Sequence, residues 1–386
     1  MRGLILCVLL WSAGGAGARA MPAAVEAHVV DTPQPVMGSD GLRHLAYELD
    51  ITNFYGDTGP LYLTGVTVFE GGSAAPLAHF SGGEMAALLA PNTDLQPDNS
   101  LAIKAGGHAV IFLWLTLPQG SGPEGANPPD HLRHHLEFKT EKGIVQTADD
   151  IVVEVSKISP VVIGPPLRGL WLADEGPGYA QSHHWGSLVA ENGRLTIPQR
   201  YAIDFFGLDA SGHAVRVPVE KLAESRLEDW VGFDSEVLAV ADGVVSQVRD
   251  GVPDHKPLSP QAEPDELTPE GLYGNFVILE IAPHVFAHYA HLRAGSVRVK
   301  AGDHVRRGDL LARLGDTGSA GAPHLHFHMS DTAGFAGSEG LPFVFDDLTI
   351  AGHASESEAL NNTSNLSLTA KNLHEVLPLN GDLIAF

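Results

Sequence analysis

The sequence of 386 residues holds a single cysteine, Cys7, and places it in a segment that reads as removable. A disulfide, a thiol nucleophile and a cysteine-based zinc site are therefore all excluded for the mature chain. Positive charge is also scarce. Twenty-three Lys and Arg stand against 47 Asp and Glu, a formal charge of -24. Nonspecific nucleic-acid binding needs a cationic face to displace counterions, and the densest basic cluster here is Arg306-Arg307. Long apolar runs are missing after Trp11: no later stretch approaches the roughly 20 residues that span a bilayer, so no integral membrane segment is expected in the mature chain. Helical periodicity is nearly confined to residues 220–229.

Twenty histidines, 43 glycines and 26 prolines are what the chain does have. Residues 1–20 combine Arg2, the apolar run Leu4 to Trp11 and a terminal Ala18-Arg19-Ala20, the order of a secretory signal peptide. The mature chain then starts at Met21 and is exported, to the periplasm or beyond. Cys7 lies too far upstream of that cleavage pattern to serve as a lipid-attachment site.

A chain this long exceeds what one hydrophobic core organises, so more than one domain is expected. Leu45, Tyr47, Leu49 and Ile51 alternate with Ala46, Glu48 and Asp50, which predicts a half-buried strand. Similar segments punctuated by glycine pairs continue to about residue 155. Residues 21–160 are thus expected to form an immunoglobulin-like β-sandwich, with His134-His135 on its surface. A Pro- and Gly-rich linker around Gly164-Pro165-Pro166 follows. Strands with glycine at their bends then resume through residues 161–331. The tail, 332–386, is expected to pack on that second domain.

The segment most informative about chemistry is Pro323-His324-Leu325-His326-Phe327-His328. On a strand its three imidazoles share one face while Leu325 and Phe327 enter the opposite layer. Neighbouring imidazoles stand about 6.6 Å apart, close enough for one to bind a metal and the other to reach a water. A zinc hydrolase needs three protein ligands and an open fourth position. Asp204, in Arg200-Tyr201-Ala202-Ile203-Asp204-Phe205, is a carboxylate on an apolar strand, costly to bury unless a cation neutralises it. His183-His184 could complete a His/Asp/His set. His291 alternates with His288, which places it on the face of Tyr289. His183, His288 and His328 are read as satisfied polar residues.

From about Trp171 to Asp331 the chain resembles the zinc metallopeptidases of family M23, the lysostaphin-type or LytM-like endopeptidases. The motifs that carry the resemblance are Ala239-x-x-Asp242-Gly243-x-Val245, Gly274-Asn275-x-Val277, Tyr289-Ala290-His291-Leu292, Val299-x-x-Gly302-x-x-Val305-x-x-Gly308, and Gly315-x-x-Gly318 before Pro323-His324-Leu325-His326-Phe327. The resemblance implies an all-β chain in which the sandwich precedes an antiparallel β-barrel of the M23 hybrid type. It implies zinc held by Asp204 and His326, with His324 and His291 as the catalytic pair. His324 takes the proton of water and His291 hydrogen-bonds the oxyanion. The family's first zinc histidine, four residues before the aspartate, is replaced by Arg200, which cannot ligate. Ser182-His183-His184 can supply the missing ligand, and His184 is the choice over His183. The implied function is a zinc-dependent endopeptidase acting on peptidoglycan cross-links or stem peptides. The alternative is a metal-free M23-like domain that regulates or positions another cell-wall hydrolase.

Overall fold

The computed structural model describes residues 20–386 apart from 55, 91–92, 119–127, 180, 262–265 and 365. Of the expected signal peptide, 1–20, all but Ala20 lies outside them. The chain is mostly β-strand. Helix is limited to Pro269–Leu272, Glu356–Leu360 and short 3-10 turns, two of which, Val219–Glu224 and Leu227–Asp229, fall where the helical periodicity does. Among the described residues no helix is long and apolar enough to cross a membrane.

Two sheets make up the N-terminal part. One runs Met21–Pro22, Val145–Glu154, His131–Thr140, Leu61–Glu70, Pro76–Ser81, with Leu101–Ile103 also on Leu61–Glu70. The other runs Glu26–Val29, Arg43–Thr52, Val36–Met37, with His108–Thr116 also on Arg43–Thr52. Leu45, Tyr47, Leu49 and Ile51 share one core with Leu63, Val66, Leu136 and Phe138, so the period-2 pattern does bury its apolar face between the sheets.

The half-buried expectation fails for the other face of that strand. Ala46 and Glu48 are buried as well, because Ala46 and Phe112 belong to a second core with Trp171, Trp185, Tyr201 and Ile203. Alternation predicts solvent on the polar face, but here that face is covered by the rest of the chain. His134 also departs from its expected surface place. It is buried, with Nε2 2.6 Å from the Tyr47 hydroxyl and Nδ1 3.0 Å from the Ile151 carbonyl, and burial pushes its pKa down to about 4.

The second part is built on an eleven-stranded sheet. Its order is Val161–Ile163, Phe343–His353, Asp382–Ala385, Leu170–Asp174, Ile203–Leu208, Leu325–Ser330, Val285–Ala290, Phe276–Ala282, Gly243–Arg249, His304–Val305. Leu366–Val376 pairs with Phe343–His353 off this path. The pairings are antiparallel except that of Val161–Ile163, and among the described residues the path is open at both ends. The tail does more than pack on this sheet: it contributes three of its strands. Ile203–Leu208 runs through the centre, buried along its whole length, as its Ile-Asp-Phe-Phe-Gly-Leu sequence requires. A Cβ on Gly207 would lie 2.4 Å from the Gly232 Cα, so glycine permits that approach of two backbones.

Candidate metal centre

Register brings the first two groups together. Asp204 pairs with His326 across the Ile203–Leu208 and Leu325–Ser330 strands, and His326 pairs in turn with Ala290. The cross-strand pair puts His326 Nδ1 2.9 Å from Asp204 Oδ1. His324, one residue before its strand, brings Nε2 to 3.4 Å of the same oxygen, and His184, on the loop before Val189, brings Nε2 to 3.5 Å. Three imidazoles therefore surround one carboxylate oxygen, and all four side chains are buried.

Each ring is held by its other nitrogen. His184 Nδ1 donates to the Glu175 carbonyl at 3.0 Å, and His324 Nδ1 donates to the Ala322 carbonyl at 2.8 Å. A carbonyl only accepts, so both rings carry their proton on Nδ1 and turn Nε2 toward Asp204. His326 is reversed: Nε2 meets His328 Nδ1 at 3.0 Å and the Gln199 amide at 3.1 Å, leaving Nδ1 for the aspartate.

His291 reaches this group by a route that alternation did not foresee. The Val285–Ala290 strand stops one residue short, and His291 adopts φ +60°. That left-handed turn takes its ring away from Tyr289, which stays in the core against Phe327 and accepts the Val240 N–H at its hydroxyl. The His291 ring lies 4.7 Å from His324 and 5.9 Å from His326, centroid to centroid, and its Nδ1 donates to the Thr317 carbonyl at 2.7 Å. Gly274 and Gly318, both at positive φ, let the two flanking backbones cross here. A Cβ on Gly274 would sit 2.4 Å from Gly318 N.

His183 also comes close. Single ligand atoms of His183, His184 and Asp204 all lie within 4.8 Å of one another. Its ring is largely exposed, however, and Nδ1 is 3.0 Å from Glu175 Oε2, whereas His184 is buried and aims at Asp204. His288 and His328 are buried and stacked at 4.3 Å, bonded through Tyr273 and Ser330, consistent with satisfied polar residues. Sequence reasoning missed the groups that orient the imidazoles: Gln199, Glu175, Ala322 and Thr317. Three of these act through backbone carbonyls, which any residue type supplies, so no sequence signal marks them.

The electrostatics of the cluster are uneven. Burial works to raise the Asp204 pKa, but the His324 and His184 rings and the hydrogen bonds from His324 and His326 hold it well below the carboxylate range. Burial pulls His324 down, yet Asp204 outweighs it and raises His324 to about 9. His184 and His291 are driven well below the ordinary imidazole value by burial, and His326 is lowered for the same reason. These rings are neutral donors at neutral pH. Two imidazole nitrogens and a carboxylate oxygen, turned inward by bonds to their far sides, suit a borderline divalent ion such as zinc. Arg200, at the position expected of a histidine, points elsewhere. It bonds Glu48 and Glu339.

Residues 231–336 match the model of peptidase family M23. That span includes His291, His324 and His326 but not His184 or Asp204. A search of curated proteins finds no match. Among solved structures, the chain is similar to the catalytic domain of the prophage-encoded M23 protein EnpA from Enterococcus faecalis, with 17% identity over 42% of this chain and 81% of that one, TM-score 0.23. It is similar to the catalytic domain of lysostaphin from Staphylococcus simulans, with 21% identity over 37% and 74%, TM-score 0.22. A third is a putative M23 peptidase from Pseudomonas aeruginosa, with 13% identity over 73% and 88%, TM-score 0.26. Likeness at these TM-scores says nothing about function.

Proposed function

Because the chain belongs to peptidase family M23 through residues 231–336, we propose that it is an active zinc endopeptidase, exported and directed at the peptides of bacterial cell wall. The observation that supports this is the convergence of His184 Nε2 and His326 Nδ1 on Asp204 Oδ1, at 3.5 and 2.9 Å. These three residues would hold the metal. Zinc held there would supply Lewis-acid polarisation of the scissile carbonyl and a bound water with a pKa of about 7.

His291 and His324 do the proton work. Both have Nδ1 fixed on a carbonyl, so both exchange protons at Nε2. Were the charge of Asp204 shared with a cation, the pull that raises His324 would weaken and both rings would serve as proton acceptors at neutral pH. Either can then take a proton from water, and once protonated can donate to the developing oxyanion or the leaving amine. The left-handed backbone of His291 keeps its ring beside that of His324.

The competing reading is a metal-free regulator, which draws on the loss of histidine at position 200. Arg200 weighs little in its favour, since His184 presents the missing nitrogen from another segment. Metal analysis of the purified chain tests the choice. One zinc per chain, lost in both His184→Ala and Asp204→Ala, supports the enzyme, and a zinc-free wild type overturns it. Soluble fragments released from purified peptidoglycan by wild type but not by His324→Ala or His291→Ala support the substrate.

A further inference from the structure

We infer that Glu48, on the N-terminal sheet, is a positioning residue for the metal centre, holding in place the two segments that carry His184 and Asp204. The inference rests on the proposed function and assigns the N-terminal part a role in it. Glu48 is fully buried on the Arg43–Thr52 strand, more than a hundred residues from either segment. Its Oε1 accepts the indole N–H of Trp185, the residue after His184. The Trp185 ring packs edge-on against Phe112 and Trp114 of His108–Thr116, at 5.7 and 6.2 Å. Both Glu48 oxygens also accept from Arg200 Nη1, and Arg200 lies four residues before Asp204.

The arrangement around Arg200 shows why the contact is directional. Arg200 Nε donates to Glu339 Oε1 at 2.8 Å, while Glu339 Oε2 accepts the Ile197 N–H at 3.1 Å. The turn 197–200 is thereby gripped at both ends before it enters the strand of Asp204. Gln199, inside that turn, faces His326 at 3.1 Å. A single carboxylate thus ties the loop of one proposed ligand to the approach to a second, and Gln199, which touches the third, is the chain neighbour of Arg200. Arg200 Nη2 is buried without a partner among the described residues, so the guanidinium depends on the bonds at Nε and Nη1, and displacing Glu48 leaves it on Glu339 alone. A cation at position 200 replaces the ligand expected there with a tether.

Zinc affinity of the full chain, measured by competition with a chelator, tests this, with the visible spectrum of the cobalt-loaded chain as a report on ligand geometry. Glu48→Gln keeps the shape and removes the charge. It is expected to weaken zinc about ten-fold or more, as loss of an orienting partner does, and to shift the cobalt bands. Trp185→Phe removes only the indole donor and is expected to weaken zinc in the same sense by a smaller factor. Leu49→Ala lies on the same strand but faces the other core, and is expected to lower the melting temperature with zinc affinity unchanged. Glu48→Gln binding zinc like wild type with an unshifted cobalt spectrum overturns the inference. So does Leu49→Ala weakening zinc as much as Glu48→Gln. If Glu48→Gln does not fold, Trp185→Phe decides by the same criteria. A wild-type chain that takes up no zinc overturns the proposed function instead, and this inference with it.

Discussion

Two buried charged clusters sit next to each other in this chain, and they solve the problem of burial in opposite ways. Around Arg200, a guanidinium meets Glu48 and Glu339, and the indole of Trp185 adds a donor. Burial opposes its charge, but the two glutamates hold Arg200 protonated, and burial in turn raises Glu339 to about 7. One cation faces two carboxylates, and the raised pKa of Glu339 eases the excess negative charge, so the cluster is compensated inside the chain. Around Asp204, three imidazoles crowd one carboxylate, and of these only His324 is held in its charged form. Asp204 is balanced there by the proton on His324, and the neutral donors beside it would accept a cation in place of that proton. A cluster closed by fixed charges is structural; one balanced by an exchangeable proton is a candidate site.

The largest effect is expected at the first cluster. Arg200→Ala leaves two buried carboxylates facing each other, which is expected to cost about 3–5 kcal/mol in a urea titration of the metal-free chain. Replacing Arg200 with Met together with Glu48→Met and Glu339→Met should recover most of that loss, since apolar groups of similar volume carry no desolvation penalty. A loss under about 1 kcal/mol for Arg200→Ala would show that the charges are solvated after all. A smaller effect of opposite sign belongs to the second cluster. Zinc at a hundred times its Kd should stabilise wild type by about 2.7 kcal/mol, and should do nothing for Asp204→Asn. Equal stabilisation of both chains would place the ion somewhere else.

How much of this was legible beforehand follows from the range of each interaction. The alternation at 45–51 marked a strand and its buried face, and the His-x-His-x-His spacing marked a face of imidazoles, because both are properties of neighbours in sequence. Asp204 stood out as a lone carboxylate among apolar residues. That Asp204 meets His326 was implied by the family resemblance and by no local pattern, since register across 122 residues is decided by the sheet as a whole. Nor was the burial of Glu48, whose alternating position reads as solvent-facing until a second core covers it. His291 was placed on the wrong face because alternation assumes an extended residue, and a positive φ at a histidine leaves no mark in sequence. The tail strands 343–353, 366–376 and 382–385 find partners within the second sheet, which local pattern does not encode.

The smallest effect concerns the proton on His324. In the metal-free chain His324 keeps its proton until pH rises to about 9, because Asp204 faces it uncompensated, whereas His184 and His326 are already neutral. Zinc on Asp204 removes that reason for the proton to stay. Binding near neutral pH should therefore release about one proton per zinc, and it should come from His324 and not from the ligands. Apparent affinity is then expected to rise with pH by up to about ten-fold per unit and to flatten above about 9, where the metal-free ring is neutral as well. Calorimetric titrations in buffers of different ionisation enthalpy count the proton directly. In His324→Ala the release should vanish and the affinity become nearly independent of pH over the same range, with zinc still bound. Release that survives this substitution would mean that a ligand imidazole carries the charge, and that the Asp204 cluster, like the one around Arg200, balances itself without an ion.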